Sequence, residues 1–324
     1  MTPKVEDLVG LNNHRVVLKG APNVVKELEE VVLSVTEDEF FRDNMHANFG
    51  ELGEAIQKLL QDYQRQTQQS NANHLNTIED MQNFMEKFPE LKSQSHKVSK
   101  HVAIMGELAR LVEVCSLMDV SQFEQELACA DDQSVHLKEL LDKLASMHIK
   151  IPDKLRLGLL YALRYEHSAN LHRVKAEMKK GGVPDDMVDL MDSILKYAGS
   201  GLRGPGLYGV GTKDIMSKMT KSFLTGVQGV QNVYAQHQPV LIDTLQAVQK
   251  GKLKQESHPF IMGRGGVDEI PSEVIVFIAG GVTYEEAAKV TEFNKNHVGR
   301  MRVVLGGSTV HNSTSFLEEL RNLP

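Results

Sequence analysis

Three observations predict a mixed α and β protein that is predominantly helical. Apolar residues recur at intervals of three or four over most of 36–198, a short β-rich pair of segments precedes them, and two apolar strand–Gly-Gly–helix units close the chain. With 324 residues, 41% of them apolar and 24% charged, the chain is large enough for one big domain or two ordinary ones around a real core. Its 36 Lys and Arg against 43 Asp and Glu leave a net charge of −7, without the basic surplus that draws a protein to phosphate backbones, so nucleic acid is not an expected partner. Two cysteines, Cys115 and Cys129, supply neither a disulfide framework nor a metal cluster, which fits a reducing cytosol and inert packing roles. The first 18 residues carry no basic stretch followed by an apolar one, so a secretory signal is not expected. The most apolar run, 274–282, is strand-sized and well short of the roughly 20 residues of a spanning helix. Any membrane role is therefore expected to go through a partner.

Residues 15–19 and 29–34 are β-rich and flank a turn-like Gly-Ala-Pro-Asn, which predicts a hairpin. Met45, Phe49, Leu52, Ile56, Leu59 and Tyr63 then recur at helical spacing behind a Thr36–Glu39 capping pattern, predicting one long amphipathic helix over 37–66. The polar stretch 64–76 reads as a flexible surface connection. Thr77 and Asp80 open the next helical pattern, which carries Met81, Phe84, Met85 and Phe88 and resumes after Pro89 with Val98, Val102, Met105, Leu108, Val112 and Cys115. A helix-interior proline removes a backbone hydrogen bond and costs about 3 kcal/mol. Pro89 thus marks either an ordinary helix boundary or a bent, switchable element within 77–117.

Further helices are predicted at 121–129, with Ser121 and Glu124 as capping box, and at 134–147, 153–166, 169–180 and 185–198. Six glycines and a proline in 199–211 mark a loop or boundary, and helices at 213–225 and 238–252 lead to a second loop at 257–272. The pattern then changes to a continuous apolar strand from 273 ending in Gly280 and Gly281, a helix from Thr283 to Asn296, and a second such unit containing Gly306 and Gly307. Strands apolar on both faces that alternate with helices signal a parallel sheet covered on both sides. Two strands do not make a stable layer alone, so either the N-terminal hairpin completes the sheet or its remainder lies outside this chain.

Few motifs carry chemistry. The two Gly-Gly turns could in principle cradle phosphate at a helix N-terminus. Neither fits a phosphate-binding code, however, and Glu285 and Glu286 at the first helix start would repel an anion. Thirteen histidines show no metal-ligand spacing, and no nucleophile elbow is present. An enzyme is not expected, nor is a catalytic residue, a cofactor or a metal. The alternatives kept open are a nucleotide-binding α/β enzyme using the Gly280-Gly281 and Gly306-Gly307 loops, and a purely structural helical scaffold.

Five segments in order, FEQELAC (123–129), LLYALRYE (159–166), VQNVYAQHQPVLIDTL (230–245), VIVFIAGGVTYEEA (274–287) and RVVLGGSTVHNSTSFLEEL (302–320), resemble the Sec-one/Munc-eighteen (SM) family over nearly the whole chain. The resemblance implies part of an arch-shaped protein of three domains that lacks the N-terminal domain. By that reading 1–35 is the tail of the first half of the α/β second domain, 36–225 the helical third domain (36–133 the hairpin-bearing part, 134–225 the second part), and 226–324 the returning half of the α/β domain. It further implies a protein that binds SNAREs, a syntaxin-type SNARE of the trans-Golgi network or endosomes and a vesicle R-SNARE, and promotes or templates their assembly in vesicle docking and fusion. The implied setting is cytoplasmic, peripheral to Golgi and endosomal membranes through the SNARE partners, with the protein a monomer. The SNARE-binding hairpin implied by the family carries a proline at its bend, which places Phe84, Phe88, Pro89, Leu91, Lys92, Lys97 and Lys100 in the candidate site. The three lysines suit acidic stretches of SNARE motifs, and a plain solvated face accounts for them equally well.

Overall fold

The computed structural model describes residues 14–21, 24–69, 78–203, 237–262 and 270–322, with side chains from Ser95 onward in the third helix below. The chain divides into two compact units, Met1–Val112 and Glu113–Pro324. That division falls inside the stretch expected to be a single helical domain.

In the first unit β1 (His14–Val17) pairs antiparallel with β2 (Glu30–Leu33), Arg15 opposite Val32 and Val16 opposite Val31, as the hairpin pattern predicted. Among the described residues it forms its own two-stranded sheet, paired with no C-terminal strand. Period-two alternation buries Val31 and Leu33 with Val16 and Leu18, and Phe41 and Ile104 join them in one apolar cluster. The expected single helix over 37–66 is two helices, α1 (Glu39–Asn44) and α2 (Phe49–Gln69). The break has a local cause. Asn48 accepts the Glu51 N–H at 3.0 Å while the Glu51 carboxylate accepts the Asn48 N–H at 2.9 Å, a reciprocal cap that starts a new helix. The cap of α1 is likewise Asp38, whose carboxylate accepts the Phe41 N–H, and not Thr36. Because α2 runs to Gln69, the polar stretch from 64 is helical as far as described, and 70–77 lie outside the described residues. Then α3 spans Ile78–Val114 without interruption.

The second unit opens with α4 (Leu117–Cys129), which starts four residues before the predicted Ser121 because Ser116 turns the chain out of α3 in a left-handed conformation, φ 51°. The helices α5 (Gln133–Ala145), α6 (Ile151–Arg164) and α7 (Leu171–Lys180) follow, then α8 (Asp185–Val188) and α9 (Leu190–Ala198), which together replace one predicted helix, and the short α10 (Ser200–Arg203). With Leu155, Leu157, Leu159, Tyr161 and Ala162 all buried, α6 is the most deeply embedded helix of this layer, and even its Asp153 and Lys154 are buried. Phe123, Leu127, Leu140, Leu144, Val174, Met178 and Met191 close on it. Lys154, buried, donates to the Gly181 carbonyl at 2.9 Å and so satisfies the C-terminal end of α7. The free thiols of Cys115 and Cys129 are half-buried, and burial pushes Cys129 above the usual thiol range, in line with packing roles.

The predicted helix at 213–225 lies outside the described residues. Beyond it come α11 (Val240–Gln249), β3 (Glu273–Ile278), β4 (Val282–Thr283), α12 (Tyr284–Asn296), β5 (Arg302–Gly307), β6 (Val310–His311) and α13 (Ser313–Arg321). β3 and β5 pair in parallel, Val274 opposite Val303 and Val276 opposite Leu305, and β4 pairs in parallel with β6. Leu245 of α11 and Val290 and Phe293 of α12 cover one face of the β3–β5 pair together with Met301 and Val303. The other face keeps Ile275 and Phe277 exposed.

Candidate functional site

The 37 residues of α3 make a rod of about 56 Å at 1.5 Å rise per residue. Pro89 lies inside it, so the ordinary-boundary reading of that proline is corrected: the helix continues on both sides. Phe84, Phe88, Pro89, Leu91 and Lys92 sit on the described backbone of this helix, and their side chains lie outside the described residues.

Further along, Val98, His101 and Ile104 recur at intervals of three and are buried, which sets the inward face of α3. Phe40 of α1 stacks at a tilt on His101, ring centroids 4.5 Å apart. Lys100 and His101 both meet the Asp38 carboxylate, His101 Nε2 at 3.0 Å from each oxygen. The same carboxylate caps α1. Burial pushes the Asp38 carboxyl up, but hydrogen bonds from His101, Lys100 and the Phe41 N–H outweigh it and hold Asp38 well below the usual carboxylate range. Lys100 is therefore committed to an internal ion pair, and its expected place as a solvent-facing contact on the rim of the site is corrected. Lys97 is exposed and lines a cleft of about 350 Å³ beside Asp38, Glu39, Asp43 and Asp62. Of the predicted lysines, the one described as free to meet a partner thus faces carboxylates of its own unit. A second, apolar cleft of about 220 Å³ runs between Phe40, Met45, Phe49, Leu52, Ile104 and Leu108.

Sequence reasoning missed Asp38 and His101. The signal existed in part: an Asp three residues before the amide of Phe41 is a capping pattern as good as Thr36–Glu39, and His101 keeps the three-residue spacing of Val98 and Ile104. Their pairing joins positions 63 apart in sequence, which no local pattern shows.

The Gly-Gly turns are occupied by their own side chains. Thr283 and Glu286 form a capping box at the start of α12, and Asn312 and Ser315 do the same for α13, so the amides a phosphate would need are already satisfied. A Cβ on Gly281, at φ 108°, would lie 2.6 Å from both His311 and Thr309. His311, buried, approaches the Gly280 carbonyl at 2.9 Å and Ser315 Oγ at 3.1 Å, tying the two turns together. Among the described residues no group of three or more His, Cys, Asp or Glu is placed to hold a metal ion. No described helix is long and apolar enough to cross a membrane.

The sequence pattern of the Sec1 family matches residues 5–319. The chain belongs to the Sec1 family. Over 98% of its length it is 42% identical to vacuolar protein sorting-associated protein 45 of Rattus norvegicus and of Homo sapiens, covering 55% of each. It is 31% identical to the Saccharomyces cerevisiae protein of the same name, covering 56% of it. Among solved structures, "SM Protein Vps45 in Complex with Qa SNARE Tlg2" matches with TM-score 0.82 and 36% identity over 99% of this chain and 56% of that one. The Unc18–syntaxin 1 complex from Monosiga brevicollis matches with TM-score 0.66 at 16% identity, a likeness of fold. The chain spans about half the length of the relatives it matches.

Proposed function

We propose that this chain supplies the helical and C-terminal α/β part of an SM protein that binds SNAREs and templates their assembly in trans-Golgi, endosomal or vacuolar traffic, without enzymatic chemistry. The observation that carries the reading is the unbroken match of 98% of the chain to vacuolar protein sorting-associated protein 45, a relative of which was solved with a Qa SNARE. The partition into 1–35, 36–225 and 226–324 belongs to the same proposal, as do a cytoplasmic, SNARE-dependent setting and a monomeric state.

The physics suits a template. Ordering a SNARE helix costs about 1–2 kcal/mol of backbone entropy per residue, and a preformed surface offsets part of that cost. A rod of 37 residues offers helix-in-groove contacts over many turns. Pro89 leaves one backbone bond unmade in it, so the straight form is held at a disadvantage that a bound SNARE helix can offset. The contacts proposed are Phe84, Phe88 and Leu91 as apolar anchors with Lys92 and Lys97 at the rim.

The test is titration of the chain with a panel of labelled SNARE motifs. Selective, saturable binding to a Qa-SNARE motif, strengthened by Pro89→Ala and weakened modestly and salt-dependently by Lys97→Glu, is expected. Equal or absent binding across the panel overturns the reading in favour of a plain scaffold, and calorimetric binding of ATP or GTP overturns it in favour of a nucleotide enzyme.

A further inference from the structure

After α11 the chain runs through residues 250–262 with every residue exposed and without helix or strand. The start is held firmly. Lys252 N–H reaches back to the Ala247 carbonyl at 2.8 Å, Gly251 takes φ 61° to close the helix, and His258 N–H donates to the Lys254 carbonyl at 3.0 Å to form a further turn. At its far end stand Phe260, Ile261 and Met262, 58%, 94% and 88% exposed. Among the described residues this is the one run of three consecutive large apolar side chains in water, and it needs an explanation, because single exposed apolar residues are ordinary while contiguous ones mark contact sites.

Charge indicates what the contact is. Lys250, Lys252 and Lys254 precede the apolar run, stand in solvent and make no ion pair with any described residue, and Glu256 is the one carboxylate in the segment. Three lysines against one carboxylate in the exposed stretch that leads to the apolar run, on a protein whose net charge is −7, are a local reversal of sign. An anionic bilayer meets both features at once: lysines settle among the headgroups, while Phe, Ile and Met enter the boundary between headgroups and acyl chains. The acidic remainder of the molecule is repelled by the same surface, so the contact has one orientation.

We propose that residues 250–262 form a direct, low-affinity contact with anionic lipid surfaces, Lys250, Lys252 and Lys254 supplying the attraction and Phe260, Ile261 and Met262 the insertion. This goes beyond the SNARE reading and is independent of it: the chain either floats with lipid or does not, whatever SNARE it binds.

Flotation of the 324-residue chain with phosphatidylcholine vesicles, with and without phosphatidylserine, tests it. Recovery with the phosphatidylserine vesicles alone is expected, falling as salt is raised. Reversal of the three lysines to Glu lowers partition by about a hundred-fold or more, and Phe260→Ser with Ile261→Ser and Met262→Ser abolishes it, since neither set touches the core and circular dichroism stays unchanged. Equal recovery on neutral vesicles, no recovery on either, or serine variants that float like the parent each overturn the proposal. So does protection of this segment from protease by a SNARE motif in the absence of lipid, which would make it a protein-docking loop.

Discussion

Phe123 and Phe277 are the same side chain in two settings. The helical layer around α6 buries Phe123 completely, along with Leu140, Leu157 and Met191, because helices on every side of α6 come from the same stretch of chain. The β3–β5 pair has α11 and α12 on one face, and its other face leaves Ile275 81% and Phe277 68% exposed. Apolar residues on both faces of a parallel strand anticipate two covering layers, and the described residues provide one. The contrast teaches that apolar content alone does not place a residue in a core: connectivity decides whether a second layer is at hand.

The largest expected effect breaks the comparison at its two phenylalanines. Phe123→Ala opens a cavity in the closed layer and should cost about 3–5 kcal/mol, while Phe277→Ala should change stability by less than about 0.5 kcal/mol. Urea denaturation followed by circular dichroism reads both. Comparable losses would mean that the outer face of the sheet is packed in solution.

The first unit offers a third kind of interior, one with charge in it. Asp38→Ala removes the α1 cap and strands the buried Lys100, and should cost about 3 kcal/mol. The pH dependence has a definite sign. A carboxyl held below its unfolded value of about 3.9 stabilises the fold above that pH and loses the contribution as pH falls toward the folded value. Thermal scans should therefore show the parent losing stability below about pH 4, with a shallower loss in Asp38→Asn, in which no carboxyl titrates at this position. Identical acid profiles would remove Asp38 from the balance.

Backbone effects come next. Gly281→Ala should cost about 2 kcal/mol, since its φ of 108° and the 2.6 Å approach of His311 leave no room for a Cβ, whereas Gly306→Ala meets only Phe277 at 3.8 Å and should be nearly neutral. The repeated Gly-Gly pattern makes the two positions look alike, and the geometry separates them. Differential scanning fluorimetry distinguishes them. The smallest effect belongs to Tyr161, fully buried with a hydroxyl that has no hydrogen-bond partner among the described residues: Tyr161→Phe should be neutral within about 1 kcal/mol or stabilising. A clear loss would reveal a bound water or partner at that oxygen.

Much of this molecule was legible one residue at a time. The hairpin, the helical middle and both strand–Gly-Gly–helix units follow from period-two and period-3.6 patterns with capping residues, because such signals depend on neighbours within about four positions. Local chemistry also explains the break before Phe49, where the Asn48–Glu51 cap was present in the sequence but outranked by apolar spacing that ran across it. Three matters were settled in three dimensions. Lys97 and Lys100 lie three residues apart on one helix, yet Asp38, distant in sequence, takes Lys100 into the interior and leaves Lys97 in water. The strands β3 and β5 have similar apolar content on both faces, yet α11 and α12 cover only one. Helix α3 passes through Pro89, where a local rule favours a stop. For the lysines and the strands the sequence determined what a segment prefers by itself, and contacts between segments far apart in the chain decided which preference was met, because burial and pairing energies of a few kcal/mol exceed the fractions of a kcal/mol that local propensity supplies.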